Sequence, residues 1–514
     1  MRVVFVWLNN DTPVGLSHGI AVLSAELKAA GHSVELLHVN DQLGLPFDPI
    51  RLGDELRRRS PDVVALSFGS NHASAARRLV EATRRELADA WVICGGIHAT
   101  MYPEEVSSWD AVDVVALGEA DGDRFSRLLA DLETGHFPTR EAGFWCRSGG
   151  EVTTNPIAPP VDLDRHSRTM DLTLFDHRRI LELKRGWADA HAGRGCPHRC
   201  SYCFNEPLRQ RYLSELHITS ACDLNYVRKR PLEVVLEELE EYRVRYGDHI
   251  RAFSFTDDQF LVGRDWACAF FDRYPAIGKP LVFLATAGAI DRDIAERSAR
   301  AGTYMVRMGV ESGNETLRRR VLNRHTPNRV IESAVETLQR AGVNAFSFNM
   351  LGIPGETIDD AFTTFHFAAS LGWDAVKFSM FWPYPGTPLH QACQREGLIR
   401  DDRGFVGNNI EDTPLRWPAR QQRLYQRIPR FYDVALNRCL VVPEARHFAA
   451  LLDEVERQDD TEFEDGGSAR LRERADQLVG DVVARGAFAY VAPFPDRYDI
   501  LLLAGRNRGR PLLM

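Results

Sequence analysis

Long apolar runs and an export signal are both missing from this sequence of 514 residues. No apolar stretch reaches the roughly 18 residues that a membrane-spanning helix requires. The apolar N-terminal segment, MRVVFVWLNND, is not followed by the small-residue cleavage site of a secretory signal. These absences argue against a membrane protein and against an exported one, and we expect residues 3–8 to form a buried strand.

Paired cysteines and an excess of positive charge are missing as well. The chain has nine cysteines, an odd number, and six of them are scattered: Cys94, Cys146, Cys222, Cys268, Cys393 and Cys439. A secreted disulfide framework does not have this pattern, so we expect a reducing, cytoplasmic location. The net charge of −9 argues against a general surface for nucleic acid or anionic membrane, and we expect neither as a partner.

Strand and helix patterns alternate through the first part of the chain. Continuous Val, Ile and Leu runs predict strands at 3–8, 33–39, 63–68, 91–96 and 114–118, with helices at 18–31, 49–59 and 73–88. Such runs, separated by helices, are typical of a parallel sheet covered on both faces. We therefore expect residues 1–140 to form a doubly wound, Rossmann-like domain that binds its ligand at the carboxyl ends of the strands.

A second alternating region follows a Pro-rich stretch, and we assign 141–180 to a linker. Predicted strands lie at 181–186, 252–257, 281–287, 305–310, 345–351 and 375–381, with helices at 231–246, 265–274, 291–301, 327–341 and 358–371. Six βα units over residues 181–400 predict a partial parallel (β/α)6 barrel with its site at the carboxyl strand ends. Helical patterns dominate 401–514, which we expect to be a mainly helical domain.

Three further cysteines lie within eight positions in the segment GRGCPHRCSYCF. Cys196, Cys200 and Cys203 follow the first predicted barrel strand, where a barrel carries its chemistry. A structural zinc site uses four ligands, commonly as two separated pairs, and no second C-x-x-C exists here. His198 could supply a fourth ligand, but its spacing to both neighbouring cysteines is tight. A [4Fe–4S] cluster held by three thiolates, with one iron open, is the preferred interpretation.

The spacing C-x-x-x-C-x-x-C, with Tyr202 before the last cysteine, resembles the signature of the radical S-adenosylmethionine (SAM) superfamily. Later strand ends also resemble motifs of this superfamily: F-x-D-D-x-F at 255–260, G-x-E-S-G at 309–313, G-x-P-G-E-T at 352–357 and P-G-T-P at 385–388. The resemblance implies that SAM binds the open iron. It also implies a set of residues close to SAM, namely Tyr202, Asp257, Asp258, Glu311, Ser312 and Gly355.

The first predicted domain carries motifs of its own. G-G-I-H-A-T at 95–100, P-E-E at 103–105 and G-E at 118–119 resemble cobalamin-binding domains fused ahead of radical SAM barrels. The resemblance implies that Gly95, Gly96, His98 and Glu119 face cobalamin. Residues 9–19 lack the D-x-H-x-x-G of cobalamin mutases, so we expect no histidine beneath the cobalt. For His18 we expect a role in helix capping or at the corrin edge.

Together these motifs resemble the cobalamin-dependent radical SAM enzymes. The resemblance implies methylation of an unactivated carbon of a small-molecule natural-product intermediate, by way of methylcobalamin and a 5′-deoxyadenosyl radical. It also implies a reducing partner such as flavodoxin or ferredoxin. Ring contraction, cyclisation or rearrangement with the same cofactors stays open, as does a non-enzymatic cobalamin sensor or carrier. A methylthiotransferase fits less well. Such enzymes carry three further cysteines in the N-terminal domain, whereas only Cys94 and Cys146 precede Cys196 here.

Overall fold

The computed structural model describes residues 1–10, 12–166, 170–400, 413–494 and 499–504. Its contacts divide the chain into two units. The first unit contains Met1–Pro197 and Phe204–Asp257, and the second contains His198–Cys203 together with the described residues from Asp258 onward. The three-cysteine segment is therefore divided, since Cys196 belongs to the first unit and the other two cysteines to the second.

The main sheet of the first unit has seven strands in the order β2-β1-β3-β4-β5-β6-β7. They are β1 Arg2–Leu8, β2 Ser33–Val39, β3 Val63–Ser67, β4 Trp91–Gly95, β5 Val114–Ala116, β6 Phe144–Ser148 and β7 Glu151–Thr153. The first five strands are parallel, as predicted, whereas β6 and β7 extend the sheet in antiparallel fashion. These two strands lie within 141–180, so that range is more than a connector.

The first unit contains helices α1 His18–Ala29, α2 Pro49–Arg59, α3 Ala73–Glu86, α4 Ile97–Met101, α5 Pro103–Ser107, α6 Arg124–Thr134, α7 Leu163–His166, α8 His177–Leu183, α9 Asn205–Glu215 and α10 Leu232–Tyr246. Of these, α1, α2, α3 and α10 lie where the apolar periodicity predicted helices. The start of α2 shows why: Pro49 stands at its first position, and the Asp48 side chain accepts hydrogen bonds from Ile50 N and Arg51 N. At α1 the capping side chain is Ser17, not His18.

Four short strands complete the first unit: β8 Trp187–Ala190, β9 Gly193–Arg194, β10 Arg228–Lys229 and β11 Ala252–Phe255. Strands β8 and β11 pair in parallel, and β9 and β10 form an antiparallel ribbon. The prediction of a strand at 181–186 is wrong. The Asp176 side chain caps α8 there, and Arg185 and Gly186 turn the chain with positive φ angles of 53° and 85°. The strand begins one residue later, with four buried residues.

The second unit contains strands β12 Leu281–Leu284, β13 Thr303–Glu311, β14 Asn344–Leu351, β15 Ala375–Met380, β16 Ala489–Val491 and β17 Ile500–Ala504. Its helices are α11 Arg264–Arg273, α12 Arg292–Arg300, α13 Glu315–Arg320, α14 Asn328–Arg340, α15 Ile358–Leu371, α16 Pro388–Arg395, α17 Ala419–Arg427, α18 Tyr432–Asn437, α19 Ala445–Arg457, α20 Asp460–Glu462 and α21 Ser468–Ala484. Strands β12 to β15 are parallel, as predicted, and the α/β class is confirmed. Strands β17 and β16 continue this sheet in antiparallel pairing and were not predicted.

The C-terminal helices share the core of the second unit. The Phe365 ring lies 4.6 Å from the Phe378 ring, and Phe378 stacks on Tyr432 of α18 at 5.4 Å. All three side chains are fully buried, so α18 covers β15 on one face. Parts of the predicted helical region, 401–412, 495–498 and 505–514, lie outside the described residues. In the part of the chain that is described, no helix is both long and apolar enough to cross a membrane.

Candidate functional site

The cysteine segment of the second unit is anchored on both sides by backbone contacts. Ser201 N donates to Leu322 O at 3.1 Å, and Leu389 N donates to Ser201 O at 2.8 Å. Beneath it, Tyr202 packs against an apolar cluster that contains Leu322 and Ile353. Hydrogen bonds to two distant helix ends therefore fix the position of this segment.

In the part of the chain that the structure describes, no three His, Cys, Asp or Glu side chains are grouped closely enough to hold a metal ion, so the ligand role of the three cysteines stays a prediction. None of the nine cysteines forms a disulfide. Arg324 Nη1 donates to Cys200 Sγ at 3.6 Å, so a cationic side chain lies beside this sulfur. Burial instead raises the pKa of Cys146 to about 11 and that of Cys393 to about 12, as is typical of inert structural thiols.

Glu311 and Tyr202, both predicted to lie near SAM, are in direct contact. Tyr202 OH donates to Glu311 Oε1 at 3.0 Å, and Arg324 Nη1 lies 3.9 Å from the same oxygen. Burial raises the pKa of Glu311, while Arg324 and the Tyr202 hydroxyl act in the opposite direction. Glu311 has a positive φ of 69°, and the pairing of β13 with β14 is irregular between Gly309 and Glu311. Arg324 was not predicted as a site residue, although it joins Glu311 to Cys200.

Ser312 and Gly355, the other predicted SAM neighbours in the second unit, differ in surroundings. Ser312 is fully buried, and its Oγ lies 3.3 Å from Thr364 Oγ1 and accepts a hydrogen bond from Asn314 N. Gly355 is exposed with φ of 79°, and a Cβ built on it would meet nothing within 4 Å. Ser312 thus joins a turn to α15, whereas Gly355 presents open backbone.

Asp257 and Asp258 also differ, despite being neighbours in sequence. Asp257 is buried, accepts a hydrogen bond from Ala192 N at 2.9 Å and lies 3.2 Å from Lys229 Nζ. Asp258 is exposed. Because the chain itself neutralises Asp257, Asp258 is the more accessible partner for a cationic ligand.

A buried acid that sequence reasoning missed lies beside the Gly355 turn. Glu356 Oε2 accepts hydrogen bonds from Gly352 N at 2.6 Å and from the Tyr425 hydroxyl of α17. Burial raises the pKa of Glu356 to about 8, against these two hydrogen bonds. Glu356 therefore binds a proton near neutral pH. Its motif was visible in the sequence, but its partner on α17, 69 residues away, was not.

In the first unit, the carboxyl ends of β3 and β4 carry the predicted cobalamin motif. Gly96 has φ of 93°, and a Cβ built there would lie 2.7 Å from Phe68 O. The His98 ring is buried and lies 3.1 Å from Ser70 Oγ by Nδ1. A Cβ on Gly95 would make only ordinary contacts, the nearest with Ala116 Cβ at 3.5 Å. Glycine is thus required at position 96 by the chain's own backbone.

Glu119, predicted to face cobalamin, is held by arginines. Arg228 Nη2 lies 2.5 Å from Oε1, Arg194 Nη1 lies 3.2 Å from Oε2, and Val161 N donates to Oε2 at 2.8 Å. Burial opposes the charge, but these two arginines lower the pKa of Glu119 to about 2. Its carboxylate is therefore ionised and bound within the first unit.

His18 is also engaged by the chain. Its Nδ1 lies 2.9 Å from Met170 Sδ, its Nε2 lies 3.2 Å from Thr256 Oγ1, and its ring stacks on His191 at 5.2 Å. Burial, with His191 beside it, lowers the pKa of His18 to about 4. The imidazole is therefore neutral at physiological pH.

Comparison with known families accounts for both halves of this arrangement. The B12 binding domain family matches residues 10–124, and the Radical SAM superfamily matches residues 191–368. A structure of the radical SAM methyltransferase TsrM from Kitasatospora setae, with cobalamin and a [4Fe–4S] cluster bound, has a TM-score of 0.62 at 18% identity and covers 81% of this chain and 80% of that one. A structure of the cobalamin-dependent radical enzyme OxsB, with aqua-cobalamin and SAM bound, has a TM-score of 0.64 at 14% identity and covers 94% of this chain and 80% of that one.

Sequence relatives carry more than one activity in their names. A protein of Pyrococcus horikoshii described as an uncharacterized methyltransferase is 24% identical over 397 residues, 75% of this chain and 79% of the relative. The anaerobic magnesium-protoporphyrin IX monomethyl ester cyclase of Cereibacter sphaeroides is 24% identical over 418 residues, 78% of this chain and 65% of the relative. Cytidylyl-2-hydroxyethylphosphonate methyltransferase of Streptomyces wedmorensis is 21% identical over 455 residues, 78% of this chain and 82% of the relative.

The protonation of Glu356 predicts a pH dependence of stability. The folded state holds this proton up to about pH 8, whereas an unfolded Glu releases it near its ordinary value of 4.5. The contribution of this proton is complete below pH 4.5 and is lost as the pH rises through 8, with a slope of at most about 1.4 kcal/mol per pH unit. Glu356→Gln keeps the neutral shape and has no such proton to lose. Between pH 5 and pH 8, the thermal midpoint should therefore fall more in the wild type than in the variant. If the thermal midpoints of the wild type and of Glu356→Gln instead change equally with pH, Glu356 is ionised in the folded chain.

Proposed function

Because this chain belongs to the cobalamin-dependent radical SAM enzymes, we propose that it transfers a methyl group to an unactivated carbon of a small-molecule natural-product intermediate. The observation that carries the proposal is one chain that joins a B12-binding domain to the three-cysteine segment of a radical SAM domain. Its cofactors are a [4Fe–4S] cluster, SAM and cobalamin. Bound there, the cluster and SAM supply a radical and cobalamin supplies a methyl group.

The roles that we propose for individual residues follow the placement described above. The cluster ligands are Cys196, Cys200 and Cys203. The residues around SAM are Tyr202, Asp257, Asp258, Glu311, Ser312 and Gly355. The cobalamin edge is formed by Gly95, Gly96, His98 and Glu119.

Contacts within each unit refine these roles. In the second unit, Glu311 is oriented by Tyr202 and lies near Arg324, so its carboxylate is held in place before a ligand arrives. Exposed Asp258 is the residue that we propose to bind the SAM ammonium group, while buried Asp257 keeps Lys229 and the turn after β8 in position. Ser312 supports the end of β13 through its contact with Thr364 of α15. Gly355 contributes exposed backbone.

Cyclisation with the same cofactors is the second candidate. Two of the sequence relatives, from Cereibacter sphaeroides and Rubrivivax gelatinosus, are named as anaerobic magnesium-protoporphyrin IX monomethyl ester cyclases. The cofactors carry the organic chemistry in both cases, so the substrate bound decides between methyl transfer and ring formation. Methyl transfer stands first because several relatives of different substrate class are named as methyltransferases or methylases.

We further propose a cytoplasmic protein that receives electrons from a flavodoxin or ferredoxin. The nine cysteines without disulfides and the oxygen sensitivity of an open iron site support a reducing compartment. The net charge of −9 supports a small-molecule substrate rather than a nucleic acid.

Methyl transfer predicts a defined mass change. Anaerobically reconstituted protein should hold about four irons and four sulfides per chain. The protein is incubated anaerobically with candidate natural-product intermediates and with SAM deuterated in its methyl group. The product should then gain one trideuteriomethyl group. Cys200→Ala should abolish both SAM cleavage and product, while Cys268→Ala serves as the matched control and should retain both. A product that loses hydrogen and gains no methyl would favour cyclisation, and full activity of Cys200→Ala would refute the cluster assignment.

SAM affinity should depend on the carboxylates of Asp258 and Glu311. A charged hydrogen bond contributes about 1.5–3 kcal/mol, so Asp258→Asn and Glu311→Gln should each weaken SAM binding roughly 10- to 100-fold. Glu311→Gln can still accept a hydrogen bond from the Tyr202 hydroxyl. An effect of this variant therefore reports the lost charge rather than lost packing. Asp359→Asn, an exposed carboxylate at the start of α15, is the control. Equilibrium dialysis at equal iron content measures the effect, and unchanged affinity in both test variants would remove these residues from the SAM site.

A further inference from the structure

Two carboxylates that follow β5 bind two arginines of the β9–β10 ribbon. Glu119 Oε1 and Oε2 accept from Arg228 Nη2 and Nη1, at 2.5 and 3.0 Å. Asp121 Oδ1 and Oδ2 accept from Arg194 Nη1 and Nη2, at 3.0 and 2.6 Å. Arg194 also lies 3.2 Å from Glu119, so the four side chains form one network, which we name the carboxylate clamp.

The carboxylate clamp fixes the orientation of its side chains as well as balancing their charges. Each arginine presents two N–H groups to one carboxylate, and such fork-shaped pairs hold both partners in one orientation. The Arg228 side chain is 4% exposed and that of Asp121 is 7% exposed. Two positive and two negative groups balance each other, so loss of one leaves a buried charge uncompensated.

The ribbon carries this fixed position to the first predicted iron ligand. Arg194 and Arg228 are opposite each other in the antiparallel pairing, and Cys196 lies two residues beyond Arg194. Gly195 has φ of 82°, and a Cβ there would lie 2.3 Å from Tyr226 O. A Cβ on Gly193 would likewise lie 2.5 Å from Arg228 O. Such close backbone contact leaves Gly193 and Gly195, three residues and one residue before Cys196, little room to move.

We propose that Glu119 and Asp121 are positioning residues for the iron–sulfur cluster. Through Arg194 and Arg228 they hold the ribbon, and the ribbon holds the backbone of Cys196 where its thiolate binds iron. This inference rests on the proposed role of Cys196 as a cluster ligand. It gives the G-E turn after β5 a task in cluster binding, in addition to its proposed place at the cobalamin edge.

The test measures how firmly the cluster is held. Arg194→Lys keeps the charge but loses the fork, and Asp121→Asn weakens the same pair from the other side. Outer contacts of this kind typically change metal affinity by about 10- to 100-fold. In both variants, reconstituted protein should therefore lose iron to a chelator at least about tenfold faster than the wild type. The electron paramagnetic resonance spectrum of the reduced cluster should also change. Asp121→Glu, which restores the carboxylate, should recover part of the iron retention.

Arg84→Lys is the matched control, because Arg84 makes a comparable set of contacts away from the cysteines. It pairs with Asp113 and donates to three carbonyl groups, those of Ala88, Ala90 and Ala111. This control should lower the thermal midpoint without faster loss of iron. If Arg194→Lys and Arg84→Lys lose iron at the same rate, the carboxylate clamp contributes only to the overall stability of the fold, and the proposal is overturned.

Two further outcomes separate the proposal from its premise. If Glu119→Gln loses cobalamin and keeps iron as firmly as the wild type, Glu119 contacts cobalamin and the positioning role is overturned. If the wild type assembles no cluster, the assignment of the cysteines fails first and the carboxylate clamp fails with it. A wild type that holds its cluster, beside an Arg194→Lys variant that holds it equally well, would refute the carboxylate clamp alone.

Discussion

A carboxylate removed from water must be paired with a cation, bound by hydrogen-bond donors or protonated, and this constraint organises the candidate site. Four acids lie at or just after strand ends, three of them buried and Glu119 20% exposed, and each meets the constraint differently. Glu119 is bound by two arginines, Asp257 by Lys229, and Glu311 by Tyr202 with Arg324 nearby. Glu356 instead keeps its proton, because burial raises its pKa to about 8. Loops that are far apart in sequence are thereby tied together.

This pairing changes the meaning of several motif residues. A strand-end acid in a cofactor-binding motif suggests contact with the cofactor, yet Glu119 and Asp257 are both bound by cations of their own unit. Gly96 must similarly lack a side chain, because a Cβ there would collide with the Phe68 backbone of the same domain. The exposed members, Asp258 and Gly355, are the ones free of such burial. A motif therefore includes residues whose side chains are bound by other residues of the same unit.

Strong periodic segments were predictable, and short or edge segments were not. The parallel strands from β12 to β15 and the long helices between them match the expected ranges closely, because continuous apolar runs and 3.6-residue periodicity are local signals. The segment 181–186 was misjudged because its apolar-polar alternation fits a strand, whereas its first three residues end helix α8 and its last three form a turn. Strands β6, β7, β16 and β17 pair in antiparallel fashion at sheet ends, and their length of three to five residues leaves little pattern.

The sequence alone determined the α/β class, the order of the two cofactor domains and the three cysteines, since spacing and strand-end motifs are written in consecutive residues. Only the tertiary structure decided which acid meets which base. Arg228 lies 109 residues from Glu119, Arg324 lies 124 residues from Cys200, and Tyr425 lies 69 residues from Glu356. Charge and hydrogen-bond pairing depend on distances of a few ångströms, and loop geometry sets these distances without leaving a periodic trace in the chain.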